Sequence, residues 1–446
     1  MKRTLFLLSL LVLLCFSGCG NQTAQVSAVS SGQLNYSDLT IKAIQTLTDG
    51  NTSDFYQLFD DNMKESMTEQ ELQDSWRHIC AQYGAFQYYL SEVAISNKDT
   101  EKIASIPCIF EQGTLTFRIT FNNNGNISGF YITEGDHSSG SPRLSNDTEI
   151  SFGAEPYLLS GSLSLPQGAG PFPVVILLQE SGPYDRNEQV GPNLPFLDMA
   201  DQLTQHGVAV LRYDKRTYLY STEIAQEDTF TVYDEIIDDV ALAVDFLKTL
   251  NTIQSDAIFI AGHGISGYLM PRIAEQTPEA AGYIMLAASA RPLEDLLLTQ
   301  TQYVLDTETN LEDAAKEQML QQTKETVNRI KNLTEESTYP AKDLYLLPAS
   351  YWLDLQNYDP LSQIQQIDKP LLFIQGGRDY QTTKTDFELW KSVLDESKRI
   401  HFRYYDNLNH IFMTGTGKST PAEYQQKGTV SADVCKDMID FVKKHS

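Results

Sequence analysis

Basic residues are scarce in this chain: 33 Lys and Arg stand against 59 Asp and Glu, a formal charge of −26 over 446 residues. So acidic a surface repels nucleic acid and anionic lipid, so no nucleic-acid partner is expected. Cysteine is scarce too. The five cysteines form no Cys-x-x-Cys pair and no His/Cys cluster, which argues against a metal site. No residue pattern implies a cofactor. Internal repeats and low-complexity runs are absent, which excludes solenoid architectures. The N-terminal apolar run, Leu5 to Phe16, is too short for a membrane-spanning helix. What is present is ample for packed cores: 41% hydrophobic residues, 10% aromatic, in a length that suggests two domains.

Met1-Lys2-Arg3 is a basic start to that apolar run, which ends in Phe16-Ser17-Gly18-Cys19. The pattern of small residues before a cysteine resembles the bacterial lipobox. The resemblance implies a signal peptide over residues 1–18, cleavage before Cys19 and a diacylglyceryl thioether on its sulfur. More than one acyl chain suffices for stable anchoring, here to the outer face of the cell membrane. Residues 19–37 are small, polar and aperiodic, as a flexible tether should be. Cys80, Cys108 and Cys435 remain; a Cys80–Cys108 bridge and buried free thiols are both open.

Regular structure follows the tether. Thr68-Glu69-Gln70-Glu71 is a capping box, and Leu72, Trp76, Ile79, Cys80 and Tyr83 recur at helical spacing up to Gly84. Leu115, Phe117, Ile119 and Phe121 then alternate with polar residues ahead of the turn pair Asn124-Gly125. This reads as a small α+β domain over 38–134, which resembles the cone-shaped domains of the nuclear-transport-factor type and suits a binding or spacer role. A Gly/Ser/Pro-rich linker is expected at 135–148. Beyond it, apolar strands Val174–Leu178, Val208–Leu211, Ala257–Ile260, Tyr283–Leu286 and Leu371–Ile374 alternate with helix-length segments, predicting an α/β domain over 149–446. The charged, mostly helical stretch 291–356 interrupts that alternation and reads as a cap over the carboxyl ends of the strands.

Directly after one of those strands comes AGHGISGYL, residues 261–269. Gly262, Gly264 and Gly267 match G-x-G-x-x-G, a phosphate-cradling turn. A dinucleotide site wants an acidic residue at the end of the next strand, where this chain reads Leu286-Ala287-Ala288-Ser289-Ala290, with Arg291 beyond. A strand-to-helix nucleophile elbow fits better. Downstream, Asp379 follows a late strand in a loop and His410 follows the next, giving the order elbow, acid, histidine of α/β-hydrolases.

Residues 150–446 resemble a family of exported bacterial α/β-hydrolases, serine carboxylic-ester hydrolases related to acyl-thioesterases and oligopeptidase-like enzymes. SGPYDRNEQVGPNLPF, VLRYDKRTY, YWLDLQNYDP, QGGRDYQ and NLNHIF carry the resemblance. It implies an α/β-hydrolase fold preceded by the small α+β domain, a catalytic His410 and Asp379, and an oxyanion hole from the amides of Ser181 and Ile265. The family elbow reads Gly-His-Ser-x-Gly-Gly, whereas residues 262–267 read Gly-His-Gly-Ile-Ser-Gly. The nucleophile position is therefore Gly264, which has no oxygen to attack with. Ser266 replaces the packing glycine, about 200° around the helix axis, and is expected to face the sheet rather than His410. Gln179-Glu180 stands where the family has His-Gly, so Glu180 sets a negative charge where an oxyanion must form.

Two readings stay open. One is a degenerate hydrolase that holds a small acyl or ester-like ligand, or a partner, in the former acyl pocket. The other is a working esterase or thioesterase with Ser266 as substitute nucleophile beside His410 and Asp379. The lipobox is testable by itself: metabolic labelling with a fatty acid should mark wild type and not Cys19→Ala, and equal labelling of both would remove the anchor.

Overall fold

The computed structural model describes residues 35–84, 86–89, 93–98, 101–110, 113–134, 142–154, 156–220, 224, 227–307 and 311–446. Cys19, the lipobox and most of the expected tether lie outside them. The chain divides into two compact units, with the boundary between Ser141 and Pro142. Among the described residues no helix is long and apolar enough to cross a membrane.

The N-terminal unit opens at Tyr36 with a helix to Thr48, so the last residues read as tether are already helical. Asn35 caps it, its side chain accepting from the amides of Ser37 and Asp38. The helix Glu69–Tyr83 carries the expected capping box and stops at Gly84, whose φ of +73° suits glycine. Strands β1 (Phe86–Tyr89), β2 (Ala94–Lys98), β3 (Glu101–Phe110), β4 (Gly113–Phe121) and β5 (Ile127–Glu134) form an antiparallel sheet ordered β1-β3-β4-β5, with β2 also paired to β3. The inward residues of β4, Leu115, Phe117, Ile119 and Phe121, pack with Leu72 and Trp76 in one apolar core. Removing a ring such as Phe117 from such a core costs about 3–5 kcal/mol. Cys80, Cys108 and Cys435 are free thiols; Cys108 and Cys435 are buried.

The second unit is built on eight strands: β6 (Asp147–Ala154), β7 (Tyr157–Ser164), β8 (Phe172–Leu178), β9 (Ala209–Tyr213), β10 (Ile253–His263), β11 (Gly282–Leu286), β12 (Leu371–Gly376) and β13 (Ile400–Tyr405). Their order is β6-β7-β9-β8-β10-β11-β12-β13. β7 pairs antiparallel with both neighbours, and β8 to β13 pair in parallel. Helices cover both faces, which is why the central strands are apolar throughout rather than alternating. Val174, Ile176 and Leu178 enter one core, Val175 and Leu177 the other.

The β6–β7 hairpin escapes a reading by hydrophobic runs. β6 starts at Asp147, inside the segment expected to be linker. Its polar residues are there for an ion pair: Asp147 meets Arg212 at 2.7 Å with both side chains buried. Between β11 and β12, where the cap is expected, lie helices Leu293–Thr307, Asp313–Lys331 and Ala349–Gln356. Strand order reverses at β8, with β9 on one side and β10 on the other. Such a switch point opens a crevice at the carboxyl ends of the strands. The loop after β8 and the turn after β10 flank it.

Because the first unit encloses its own core and its last strand ends at Glu134, a fragment of residues 36–136 should unfold cooperatively in denaturant. A broad, non-cooperative transition would contradict its independence.

Candidate active site

β10 runs to His263, and a short helix begins at Ile265. Gly264 joins them at φ +51° and ψ −112°, a strained turn that glycine adopts most readily. The flanking glycines serve packing. A Cβ on Gly262 would lie 2.6 Å from the carbonyl carbon of Ser266, and one on Gly267 would lie 2.6 Å from Cβ of Ala288. Strand, helix and the end of β11 therefore converge too closely for side chains there. Arg291, the residue that could have served a nucleotide phosphate, is paired with Asp386 at 2.7 Å. The turn is an elbow.

The acid and the histidine meet as their order implies. Asp379, in the loop after β12, accepts the amides of Gln381 and Thr382 on Oδ1 at 2.8 and 3.0 Å. Its Oδ2 takes His410 Nδ1 at 2.8 Å, and Gln375 donates to the same oxygen at 3.1 Å. Asp379 is thus fixed from both oxygens, and it fixes the imidazole.

The third member is Glu180. Its Oε1 accepts the amide of Ser181 at 2.6 Å and that of Ile265 at 2.8 Å. These are the two donors expected to form the oxyanion hole, and a carboxylate of the chain itself fills it. The other oxygen, Oε2, lies 3.3 Å from His410 Nε2. A Cβ built on Gly264 would fall 1.4 Å from that same Oε2. Gly264 and Glu180 are thus coupled: only an elbow without a side chain leaves room for the carboxylate.

Electrostatics follow from this geometry. Burial opposes the charge on His410, but the charge and bond of Asp379 and those of Glu180 outweigh it and raise its pKa to about 10. Burial likewise opposes ionisation of Glu180, yet its bond to His410, the charges of His410 and His263 and the Ser181 amide hold its pKa down at about 2. At neutral pH the site is an ion pair between a carboxylate and an imidazolium.

Ser266 is fully buried, and its hydroxyl donates to the carbonyl of Gln179 at 2.5 Å. It ties the helix to the loop after β8, on a different line from the His410–Glu180 contact. Gln179 points away from the hole, donating to the carbonyls of Tyr213 and Asp185.

Several residues that matter here are not singled out by sequence patterns. Glu188 Oε1 accepts the amide of Glu180 at 2.6 Å and faces His263 Nδ1 at 3.0 Å, while His263 Nε2 lies 3.1 Å from the carbonyl of His410. Lys215 donates to the carbonyl of Glu180 at 2.8 Å and pairs with Glu235 at 2.7 Å. Glu235 in turn accepts the hydroxyl of Tyr351, from the helix Ala349–Gln356, at 2.6 Å. Glu235 sits in a π-helical turn, Tyr233–Ile237, a local irregularity that is frequent at functional sites. Among the described residues no group of three or more His, Cys, Asp and Glu side chains is placed to hold a metal.

An elbow at the switch point, a His–Asp pair and a two-amide hole define the α/β-hydrolase class. Over 409 residues, 90% of this chain and 94% of the relative, the sequence is 31% identical to esterase EstD of Thermotoga maritima. The chain belongs to that family of esterases. Residues 41–130 match a family described as a protein of unknown function, DUF3887. Solved structures similar to this one include Est1E from Butyrivibrio proteoclasticus, at 15% identity and TM-score 0.42, covering 66% of this chain and 99% of its own. An esterase of Pyrococcus furiosus aligns at 16% identity and TM-score 0.41, covering 67% and 91%.

The ion pair gives stability a pH signature. His410 is raised from 6.5, so its share is complete below about pH 6.5 and is lost as pH rises through about 10. Glu180 is lowered from 4.5, so its share is complete above about pH 4.5 and is lost as pH falls through about 2. Both are whole between about pH 4.5 and 6.5. The deficit in Tm of Glu180→Gln relative to wild type should therefore be largest in that window and shrink toward about pH 10. A deficit that does not change with pH would contradict the pairing.

Proposed function

We propose that this chain is an exported, lipid-anchored member of the esterase family in which serine-dependent acyl transfer has been lost and the site retained for binding. The observation that carries the reading is the Glu180 carboxylate seated on the amides of Ser181 and Ile265. A tetrahedral intermediate needs those donors for its own oxyanion, and they are engaged. Gly264 supplies no hydroxyl. An imidazolium bonded on both nitrogens has no lone pair with which to take a proton from a nucleophile. Ser266 as substitute nucleophile is disfavoured by its burial and its bond to Gln179.

The ligand in this reading is small and acyl- or ester-like, held at the carboxyl ends of the strands beneath the inserted helices. Two contacts support such a covered site. Tyr351 reaches Glu235, and Tyr303, on the helix Leu293–Thr307, stacks on Tyr380 of the acid loop with centroids 4.9 Å apart. Export and anchoring rest on the lipobox at Cys19, and the outer face of the cell membrane is the location it implies.

A serine-reactive fluorophosphonate should leave wild type unlabelled, and p-nitrophenyl esters should be hydrolysed little. Gly264→Ser alone should stay inactive, because its Cβ collides with Glu180, and the collision should cost stability by about 1–3 kcal/mol. Gly264→Ser with Glu180→Gly clears the hole and supplies the hydroxyl. That variant should gain about 10²-fold or more in ester hydrolysis, the scale set by oxyanion-hole donors, and lose it again in His410→Ala. Substantial wild-type hydrolysis that disappears in Ser266→Ala would overturn the reading in favour of a live serine esterase.

A further inference from the structure

The carboxyl group of Glu180 does more than fill a hole. The Cβ position of residue 264 lies 1.4 Å from Glu180 Oε2 and 2.0 Å from its Cδ. The carboxylate thus stands where an elbow residue would present its reactive group, delivered from the neighbouring loop instead. Its two oxygens are held differently. Oε1 takes both amides of the hole, and Oε2 faces His410 Nε2. The Glu180 side chain is 23% exposed and that of His410 3% exposed, so the loop that carries Glu180 is the more open side of the pair.

Carboxylates serve elsewhere as covalent nucleophiles, forming esters that water later cleaves. Cleaving such an ester calls for an oxyanion hole on the carboxylate's own carbonyl and a base beside it, and Glu180 has both. Attack on an acyl carbon does not suit this arrangement, since the oxyanion so formed would need the hole that Oε1 occupies. Displacement at a saturated carbon makes no such demand.

We propose that Glu180 is a covalent nucleophile toward an sp3 carbon bearing a leaving group that departs as a stable anion, an alkyl halide being the simplest case. Oε2 forms a bond to the carbon as the carbon–halogen bond breaks, giving a Glu180 alkyl ester and halide. With Glu180 neutral, one of the two charges that hold the proton on His410 is gone and only Asp379 remains, so that proton is released to solvent with the halide. Neutral His410, oriented by Asp379, takes a proton from water as the hydroxide adds to Cδ. The resulting oxyanion on Oε1 rests on the amides of Ser181 and Ile265. Collapse expels the alkoxide, which takes the proton from His410; the Glu180 acid then returns its own proton to the imidazole. The balance is alkyl halide and water to alcohol and hydrogen halide.

This rests on Glu180 occupying the hole, as the functional reading does, but its test reads a different atom. Wild type, His410→Gln and Glu180→Gln are treated with methyl iodide, butyl bromide and hexyl bromide, and peptide mapping by mass spectrometry locates the alkyl groups. Mapping separates Glu180 from thiol alkylation at the partly exposed Cys80. With at least one reagent, His410→Gln should accumulate an ester on Glu180, because the water step is blocked, and Glu180→Gln should carry none at that position. Wild type in water enriched in heavy oxygen should incorporate the label into the Glu180 carboxyl group. No ester on Glu180 with any reagent and no label in wild type would overturn the proposal. With fluorophosphonate also failing to label, that result would leave the occupied-hole reading standing.

Discussion

One carboxylate organises this site. Glu180 joins two amides to an imidazole, so the hole, the histidine and the elbow are coupled through a single side chain. The arrangement is self-consistent in charge: two backbone dipoles and an imidazolium surround one anion, and Asp379 balances the imidazolium from its far side. A buried ion pair gives modest net stability when intact and is costly when broken, because the surviving charge is left without a partner. Changing any one of these parts therefore disturbs the others, and the bare backbone at Gly264 is what gives Glu180 its room.

The scaffold explains why the carboxylate stays where it is. The loop after β8 is held from several directions: Gln179 by the carbonyls of Tyr213 and Asp185, the Glu180 amide by Glu188, and the Glu180 carbonyl by Lys215. Through Glu235 and Tyr351 that support extends into the helices inserted between β11 and β12. Ser266 adds a bond from the elbow helix back to Gln179. In space that bond fastens the two halves of the hole to each other.

The fold was largely legible because its signals are local. Central parallel strands announce themselves as apolar runs, and the amphipathic helix after Thr68 by its period and cap. The β6–β7 hairpin was less so, since Asp147 and Ser164 are polar residues used inside, where they satisfy Arg212 and each other. The order of Gly264, Asp379 and His410 indicated the site, and Gln179-Glu180 indicated an anion near the hole. What the linear order could not convey was direction: that Glu180 turns inward onto its own loop's donors, made possible by the space a glycine leaves two strands of chain away. Glu188 and His263 were hidden for a similar reason, being ordinary polar residues until a sheet brings them face to face.

Whether the carboxylate fills the hole can be read by isotope-edited NMR of a labelled Glu180 carboxyl group, followed through an acid titration. A carboxylate seated in the hole should stay ionised far below the ordinary glutamate range, down to about pH 2, and should titrate closer to its usual value in His410→Gln. A Glu180 that titrates near its ordinary value in wild type, indifferent to His410, would mean that the carboxylate does not occupy the hole.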